Sequence, residues 1–305
     1  AALVCYALSR LISFRSPSIR RTFLSGSALT VIVLWPLGQR ALPGDLEIYF
    51  LDVGQGDAIA IRTPRHRWVL VDTGPASGDF DAGERRVLPF LREHGVRGIE
   101  FMVLTHPHLD HIGGAVALLD ALRVDLLIEP GHAEGSQTYL AVLEAVDGSE
   151  TEWRAARSGR SLTLDGVRFD FLWPDSQNVD AVEDPNQISA VVRVSYGEFS
   201  LLLTGDAGVE VETILLARHG SALESDVLKL GHHGSTTSSS APFLDAVNPS
   251  LAVVSAGRRN GYGHPALPIL AAVAARDIDL ARTDQDGTVT LKVARGGDQW
   301  ARMEW

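Results

Sequence analysis

Cysteine is almost missing from this chain. Cys5 is the only one among 305 residues, so an internal disulfide is impossible and thiolate-ligated zinc is excluded from everything that follows it. Positive charge is scarce too. Residues 1–45 carry five arginines (Arg10, Arg15, Arg20, Arg21, Arg40) against Asp45, which leaves the remainder with 22 basic and 37 acidic residues, a net charge of −15. Such an acidic body argues against a broad phosphate-binding surface, because nonspecific nucleic-acid binding leans on Lys and Arg. Any phosphate contact would have to come mainly through metal ions. Gly-x-Ser-x-Gly, Walker and Rossmann signatures are lacking, so serine hydrolase and nucleotide-fold readings have no support. Short repeats and low-complexity tracts are also missing.

Two apolar stretches stand near the start. Residues 1–12 are apolar but for Arg10, residues 14–21 form a basic turn, and residues 22–37 are free of charge. Sixteen residues fall slightly short of a bilayer, although snorkelling flanks can complete a span. A signal peptide would show the same order of basic and then apolar residues. Here, however, the basic cluster follows another apolar stretch, and no small-x-small cleavage site stands out. The expectation is therefore a membrane-associated segment over 1–45: the end of one helix, a basic loop and one spanning helix. A chain opening on Ala suggests a piece of something longer. Placing the arginine-rich loop on the cytoplasmic side puts residues 40–305 on the outer face of the cell membrane.

From residue 46 onward the pattern predicts a mixed α/β domain reaching residue 305. Strands are expected over 46–51, 58–61, 68–71, 101–104, 126–129, 162–164, 167–173, 190–196, 199–203, 227–230, 251–255 and 288–293. Helices are expected over 84–93, 112–119, 138–146, 209–218, 243–247 and 269–276. Hairpin strands interleaved with helices suggest two sheets faced by helices.

The richest chemistry is Thr105-His106-Pro107-His108-Leu109-Asp110-His111-Ile112-Gly113-Gly114. Three imidazoles and a carboxylate fall within six residues, at the end of an apolar strand. His106 and His108 are two apart and project to one side of an extended segment. Asp110 and His111 follow as the chain turns into a helix. Neutral imidazoles and a carboxylate suit Zn²⁺ or Mn²⁺, and two bundles of ligands suit two divalent ions. Gly113 and Gly114 let the backbone pass close to its neighbour.

One loop cannot hold two ions, so later strand ends must contribute. The run Leu201-Leu202-Leu203-Thr204-Gly205-Asp206 delivers a carboxylate able to bridge a metal pair. It would also cap the helix that follows, which is no bar to ligation. The run 227–235 delivers His232 and His233. His232 is favoured as a ligand, with its neighbour free to orient substrate or shuttle a proton. Asp52, Asp57 and Asp72 lie at strand ends, where turn formation explains them as well as function does. His264, in Gly261-Tyr262-Gly263-His264-Pro265, could reach the site. His66, His94, His132 and His219 sit in bland polar or helix-end contexts.

The pattern His106-x-His108-x-Asp110-His111, then Asp206, then His232-His233, resembles the metallo-β-lactamase-fold superfamily, which implies an αββα sandwich with a metal pair in its cleft. A narrower resemblance is to the C-terminal domain of ComEC-type DNA-internalisation proteins of natural competence. It rests on residues 50–57 (FLDVGQGD), 71–74 (VDTG), 105–114, Asn186 with Ser189, 202–206, 228–235, 262–265 and Arg282-Thr283-Asp284 with Asp286-Gly287. Many superfamily members carry a ligand histidine between the metal loop and the bridging aspartate. Here His132 is the only candidate, in a loop unlike that motif, so one metal site is expected to be ligand-poor.

The resemblance implies a nuclease that degrades the DNA strand left outside while the other enters a channel region of the same longer protein. His106, His108, Asp110, His111, Asp206 and His232 would hold the ions, and Asp110 would orient the attacking water. His233 or His264 would protonate the leaving oxygen. Two other readings use the same residues: a membrane-anchored hydrolase of a small ester, phosphocholine ester or lactam, and a non-catalytic module that gates DNA.

Overall fold

The computed structural model describes residues 44–132, 135–177, 179 and 182–303. The expected span over 22–37 lies outside them. Among the described residues no helix is long and apolar enough to cross a membrane.

Two sheets build the unit Gly44–Trp305. The first contains β1 (Leu46–Phe50), β2 (Ile59–Arg62), β3 (Trp68–Val71), β4 (Phe101–Val103), β5 (Leu126–Glu129) and β6 (Glu152–Ala155). The second contains β7 (Ser161–Leu164), β8 (Val167–Trp173), β9 (Val191–Tyr196), β10 (Phe199–Leu203), β11 (Val227–Lys229), β12 (Leu251–Val254) and β13 (Asp279–Arg282). The chain then returns to the first sheet with β14 (Val289–Val293) and β15 (Trp300–Met303). Strand order is β6-β5-β4-β3-β2-β1-β14-β15 in the first sheet and β7 to β13 in sequence in the second.

Side-chain alternation explains the layering. Along β1, Leu46, Ile48 and Phe50 point into a core shared by both sheets, while Tyr49 points outward. Along β10, Phe199, Leu201 and Leu203 join the shared core and Leu202 faces out. Both faces of each sheet are therefore covered, and central strands read as continuous apolar runs rather than alternating ones. The outer face of the first sheet packs against α1 (Leu88–Glu93), α2 (Leu109–Ile112), α3 (Ala115–Ala121) and α4 (Gln137–Asp147). That of the second packs against α5 (Val209–His219), α6 (Ala241–Val247) and α7 (Leu267–Ala274). The result is an αββα sandwich.

The expected helix over 112–119 is two helices, α2 and α3, separated by Gly113 and Gly114. These glycines approach backbone, not the cluster of imidazoles. A Cβ on Gly114 would lie 2.5 Å from the Gly83 nitrogen and from the Thr73 carbonyl oxygen, so no larger residue fits. The pair clamps the metal loop to the loop after β3.

Parallel pairing sets where the chemistry gathers. β3, β4, β5 and β6 run parallel, as do β10, β11, β12 and β13. Their C-terminal ends open on one rim of the sandwich, where α/β folds place their sites. A backbone hydrogen bond from Ala190 N to Thr105 O, 2.8 Å long, ties the two sheets together at that rim.

Candidate metal centre

Five strand ends deliver the site. β3 ends at Asp72, β4 runs into Thr105 to His111, β10 into Asp206, β11 into His232 and His233, and the loop after β1 brings Asp57. His232 and His233 both adopt positive φ, 46° and 55°. That conformation is costly for non-glycine residues, and it turns both imidazoles towards Asp206.

Asp206 is the hub. Its Oδ2 lies 3.2 Å from His111 Nε2, 3.6 Å from His233 Nε2, 3.7 Å from His232 Nε2 and 3.9 Å from His106 Nε2. His233 Nε2 also lies 3.2 Å from Asp110 Oδ2. Donor atoms of Asp110, His111, Asp206 and His233 all fall within 4.8 Å of one another. His108 stands beside them, its Nδ1 3.0 Å from His106 Nε2.

A surrounding layer fixes these rings. Asp72 accepts from His111 Nδ1 at 2.7 Å, and from the Thr105 amide and hydroxyl at 2.7 and 2.8 Å. His233 Nδ1 faces the Ser255 carbonyl at 3.0 Å, and His232 Nδ1 the Thr237 hydroxyl at 2.9 Å. Ser189 Oγ accepts the Asp206 amide at 3.1 Å. Ligand imidazoles commonly anchor their other nitrogen in this way. Asp57 and Asp72 also surround His111. Asp72 has both oxygens occupied and orients His111, whereas Asp57 pairs with Lys229 through Oδ2 and keeps Oδ1 buried without a hydrogen-bond partner.

Burial favours the neutral form of every group here, and the neighbouring charges overturn it in most. Against burial, His111 and His233 hold Asp206 well below the usual carboxylate range. Against burial, Asp206 and Asp72 hold His111 well above the imidazole range, and Asp206 and Asp57 raise His233 to about 9. Burial and the His111 charge push His106 well down. Protons thus sit between the carboxylates where a cation could act instead. The donor set fits divalent metal: imidazole nitrogen and carboxylate oxygen, with Asp206 Oδ1 and His111 Nε2 buried and lacking any hydrogen-bond partner.

The structure brings together all six residues that the sequence marked as ligands. It also separates the two neighbouring histidines differently. Sequence reasoning gave His233 to proton transfer. Its fully buried ring, wedged between Asp110, Asp206 and the Ser255 carbonyl, makes it a ligand candidate instead. His232 keeps its place facing Asp206. His264 lies outside the cluster, its ring 5.9 Å from that of His232. Burial and the nearby His232 lower its pKa, which leaves it unprotonated near neutral pH.

Other positions resolve as well. Asp52 turns Oδ1 to the Gly54 amide, a turn role, whereas Asp57 and Asp72 belong to the site. His132 faces the Val179 carbonyl at 2.7 Å and takes no part. Asn186 Oδ1 is buried without a partner in the pocket lined by Asp206 and His232, a spare oxygen donor there. Lys229 joins the site without a motif to mark it. Fully buried, it pairs with Asp57 and lies 4.0 Å from Asp206 Oδ1. Its signal was a lone cation inside the apolar run 227–230.

The sequence profile of the Metallo-beta-lactamase superfamily matches residues 51–258, which spans the loop after β1 through the turn after β12. The chain belongs to that superfamily. Superfamily membership, the sandwich and the clustered donors indicate a metal-dependent hydrolase. Among relatives, Competence protein ComA of Neisseria gonorrhoeae is 36% identical over 257 residues, covering 83% of this chain and 33% of the relative. ComE operon protein 3 of Bacillus subtilis is 29% identical over 294 residues, covering 92% and 37%. The chain therefore spans about a third of these relatives' length. CmlA, a diiron beta-hydroxylase from Streptomyces venezuelae, has the same fold, with a TM-score of 0.55, 16% identity and coverage of 82% of this chain and 54% of its own.

Proposed function

We propose that this domain is a metal-dependent phosphodiesterase acting on DNA, the nuclease part of a larger membrane-bound DNA-uptake protein. The observation that carries it is the convergence on Asp206 of His106, His111, His232 and His233, in a chain similar to proteins named for competence. In this reading the strand not taken up is the substrate, and the channel region of the longer protein is the partner. The first 45 residues attach the domain to the membrane on its extracytoplasmic side.

His106, His108, His232 and Asp206 would hold one ion; Asp110, His111, His233 and Asp206 would hold a second. A divalent pair there would offset phosphate charge and make water more acidic near neutral pH. The chain's own groups do the remaining work. Asp110, ionised and only partly buried, accepts a hydrogen bond from the attacking water and orients it. Thr105 and Asp72 keep His111 in one tautomer. His264, beside His232, would hydrogen-bond the departing side of the phosphate.

Hydrolysis of bis(p-nitrophenyl) phosphate by the 305-residue chain with Mn²⁺ or Zn²⁺ tests this reading. Asp110→Ala and Asp206→Ala should each abolish it; retained turnover in both would sink it. Competitive inhibition by short oligonucleotides is expected. Absence of inhibition, with a lactam or phosphocholine ester hydrolysed instead, would favour the small-substrate hydrolase.

A further inference from the structure

A groove of about 670 Å³ opens beside the metal centre, between the loop after β1, the loop after β3 and the loop after β12. Each wall continues a segment that serves the site. Gln55 lies two residues before Asp57, Pro75 three after Asp72, and Gly257 two after Ser255, whose carbonyl faces His233. Gln55 Oε1 accepts the Gly257 amide at 3.0 Å and joins two of the walls.

The groove carries positive charge that no carboxylate offsets. Arg86 and Arg258 line it, and Arg259 follows on the same loop. No carboxylate pairs with any of the three among the described residues. Arg258 meets only the Asp284 carbonyl, at 3.2 Å, because the Asp284 carboxylate is taken by Arg282. Asp52 is the one acid in the lining, and its Oδ1 serves the Gly54 amide. The pocket that Asp206 and His232 themselves line differs: about 300 Å³, with Asp184 and Glu210 in its wall and no Arg or Lys. A polyanion at the site is therefore held in the groove and repelled in that pocket.

The loop 257–265 adds an aromatic ring. Asn260 Oδ1 accepts the amides of Tyr262 and His264 at 3.1 and 3.0 Å, and its Nδ2 donates to the carbonyls of Gly257 and His264. So braced, the loop holds Tyr262 74% exposed. Its ring stacks on His264 at 5.9 Å and 11°, and His264 in turn neighbours His232. A rigid, solvent-facing aromatic ring next to unpaired arginines is the combination that single strands use, bases stacking while phosphates meet guanidinium groups. In a duplex the base faces are hidden from such a ring.

Resting on the phosphodiesterase reading, we propose that this groove seats a single-stranded polynucleotide, with Arg86, Arg258 and Arg259 on its phosphates and Tyr262 stacked on a base. The test is fluorescence anisotropy of labelled oligothymidylate on the 305-residue chain across a salt series, with chelator present to stop cleavage. The triple variant Arg86→Ala/Arg258→Ala/Arg259→Ala should bind about tenfold or more weakly at low salt. Its slope of log affinity against log salt should fall by about two. Tyr262→Ala should weaken binding about fivefold or more at unchanged slope. Arg168→Ala, the loss of one arginine on β8 outside the groove, should change neither.

An unchanged slope in the triple variant would overturn the proposal. So would a duplex that binds as well as the single strand and is indifferent to Tyr262→Ala. Cleavage of the same oligonucleotide by the unmodified chain with Mn²⁺ separates the two readings. Cleavage with binding unaffected by the arginines removes the groove alone. Arginine-dependent binding without cleavage removes the nuclease alone.

Discussion

Lys229 and Asp57 form an ion pair at the floor of the metal centre, both fully buried. Asp57 also lies 3.4 Å from His233 Nδ1 and 3.8 Å from His111 Nδ1. The lysine thus supplies a fixed positive charge beneath a cluster of carboxylates and imidazoles, held charged by Asp57 and Asp206 against the pull of burial. Removing one member of such a pair leaves the other charged and unpaired, a loss of about 3–5 kcal/mol. Lys229→Met should lower the urea midpoint accordingly, and Lys229→Met/Asp57→Asn should recover part of the loss. Additive losses in the double variant would show that the pair does not act as a unit.

Stability of the metal-free chain should depend on pH through His233. The folded chain raises this imidazole from its ordinary 6.5 to about 9, so it binds the proton more tightly than the unfolded chain does. The resulting stabilisation is complete below pH 6.5 and disappears as pH climbs through about 9. His111 shifts in the same direction. His106, His232 and His264 shift downward, so their effect falls below pH 6.5, outside this window. With chelator, the urea midpoint should drop between pH 7 and pH 9.5. With metal present the drop should vanish, because ions replace the protons, and loading should release protons to the buffer. A midpoint that stays flat or rises with chelator would contradict the assignment.

Metal content should follow the geometry residue by residue. Asp206→Asn should reduce bound metal most, since Asp206 faces His106, His111, His232 and His233, and His106→Ala should remove one site. His132→Ala should leave content unchanged, its ring being committed to the Val179 carbonyl. Elemental analysis after dialysis reads all three. Loss of metal in His132→Ala would place it among the ligands.

The core between the sheets makes its own prediction. Phe169 is fully buried on β8 and meets Phe101 of β4 edge to face at 4.9 Å, joining one sheet to the other. Phe169→Ala should cost about 3–5 kcal/mol in urea unfolding. A loss below about 1 kcal/mol would mean that the sheets do not rely on this contact.

Legibility in the sequence followed burial. The central strands were readable because both their faces are covered, which writes them as apolar runs such as 199–203. The strands that escaped notice, β6, β13 and β15, are all sheet edges. Glu152–Ala155 and Trp300–Met303 are largely exposed, and one-sided packing leaves no run to read. In the site, the compact loop 105–111 advertised its donors, and Asp206 did so by following a strand through glycine. The roles of His232 and His233 were not readable, because two successive left-handed residues decide where each ring points. Asp57 and Asp72 fit turn formation and function equally well in the sequence, and only the convergence of distant strand ends reveals their partners. Lys229 stayed hidden because a single cation in an apolar strand gives no hint of the carboxylate 172 positions before it in the chain.

The most direct test of the account is cleavage of end-labelled single-stranded DNA by the 305-residue chain with Mn²⁺, Zn²⁺ or chelator, set beside Asp206→Ala. Metal-dependent fragments are expected, none with chelator and none from the variant. Intact DNA with metal demonstrably bound to the unmodified chain would contradict it, as would fragments of equal yield from Asp206→Ala.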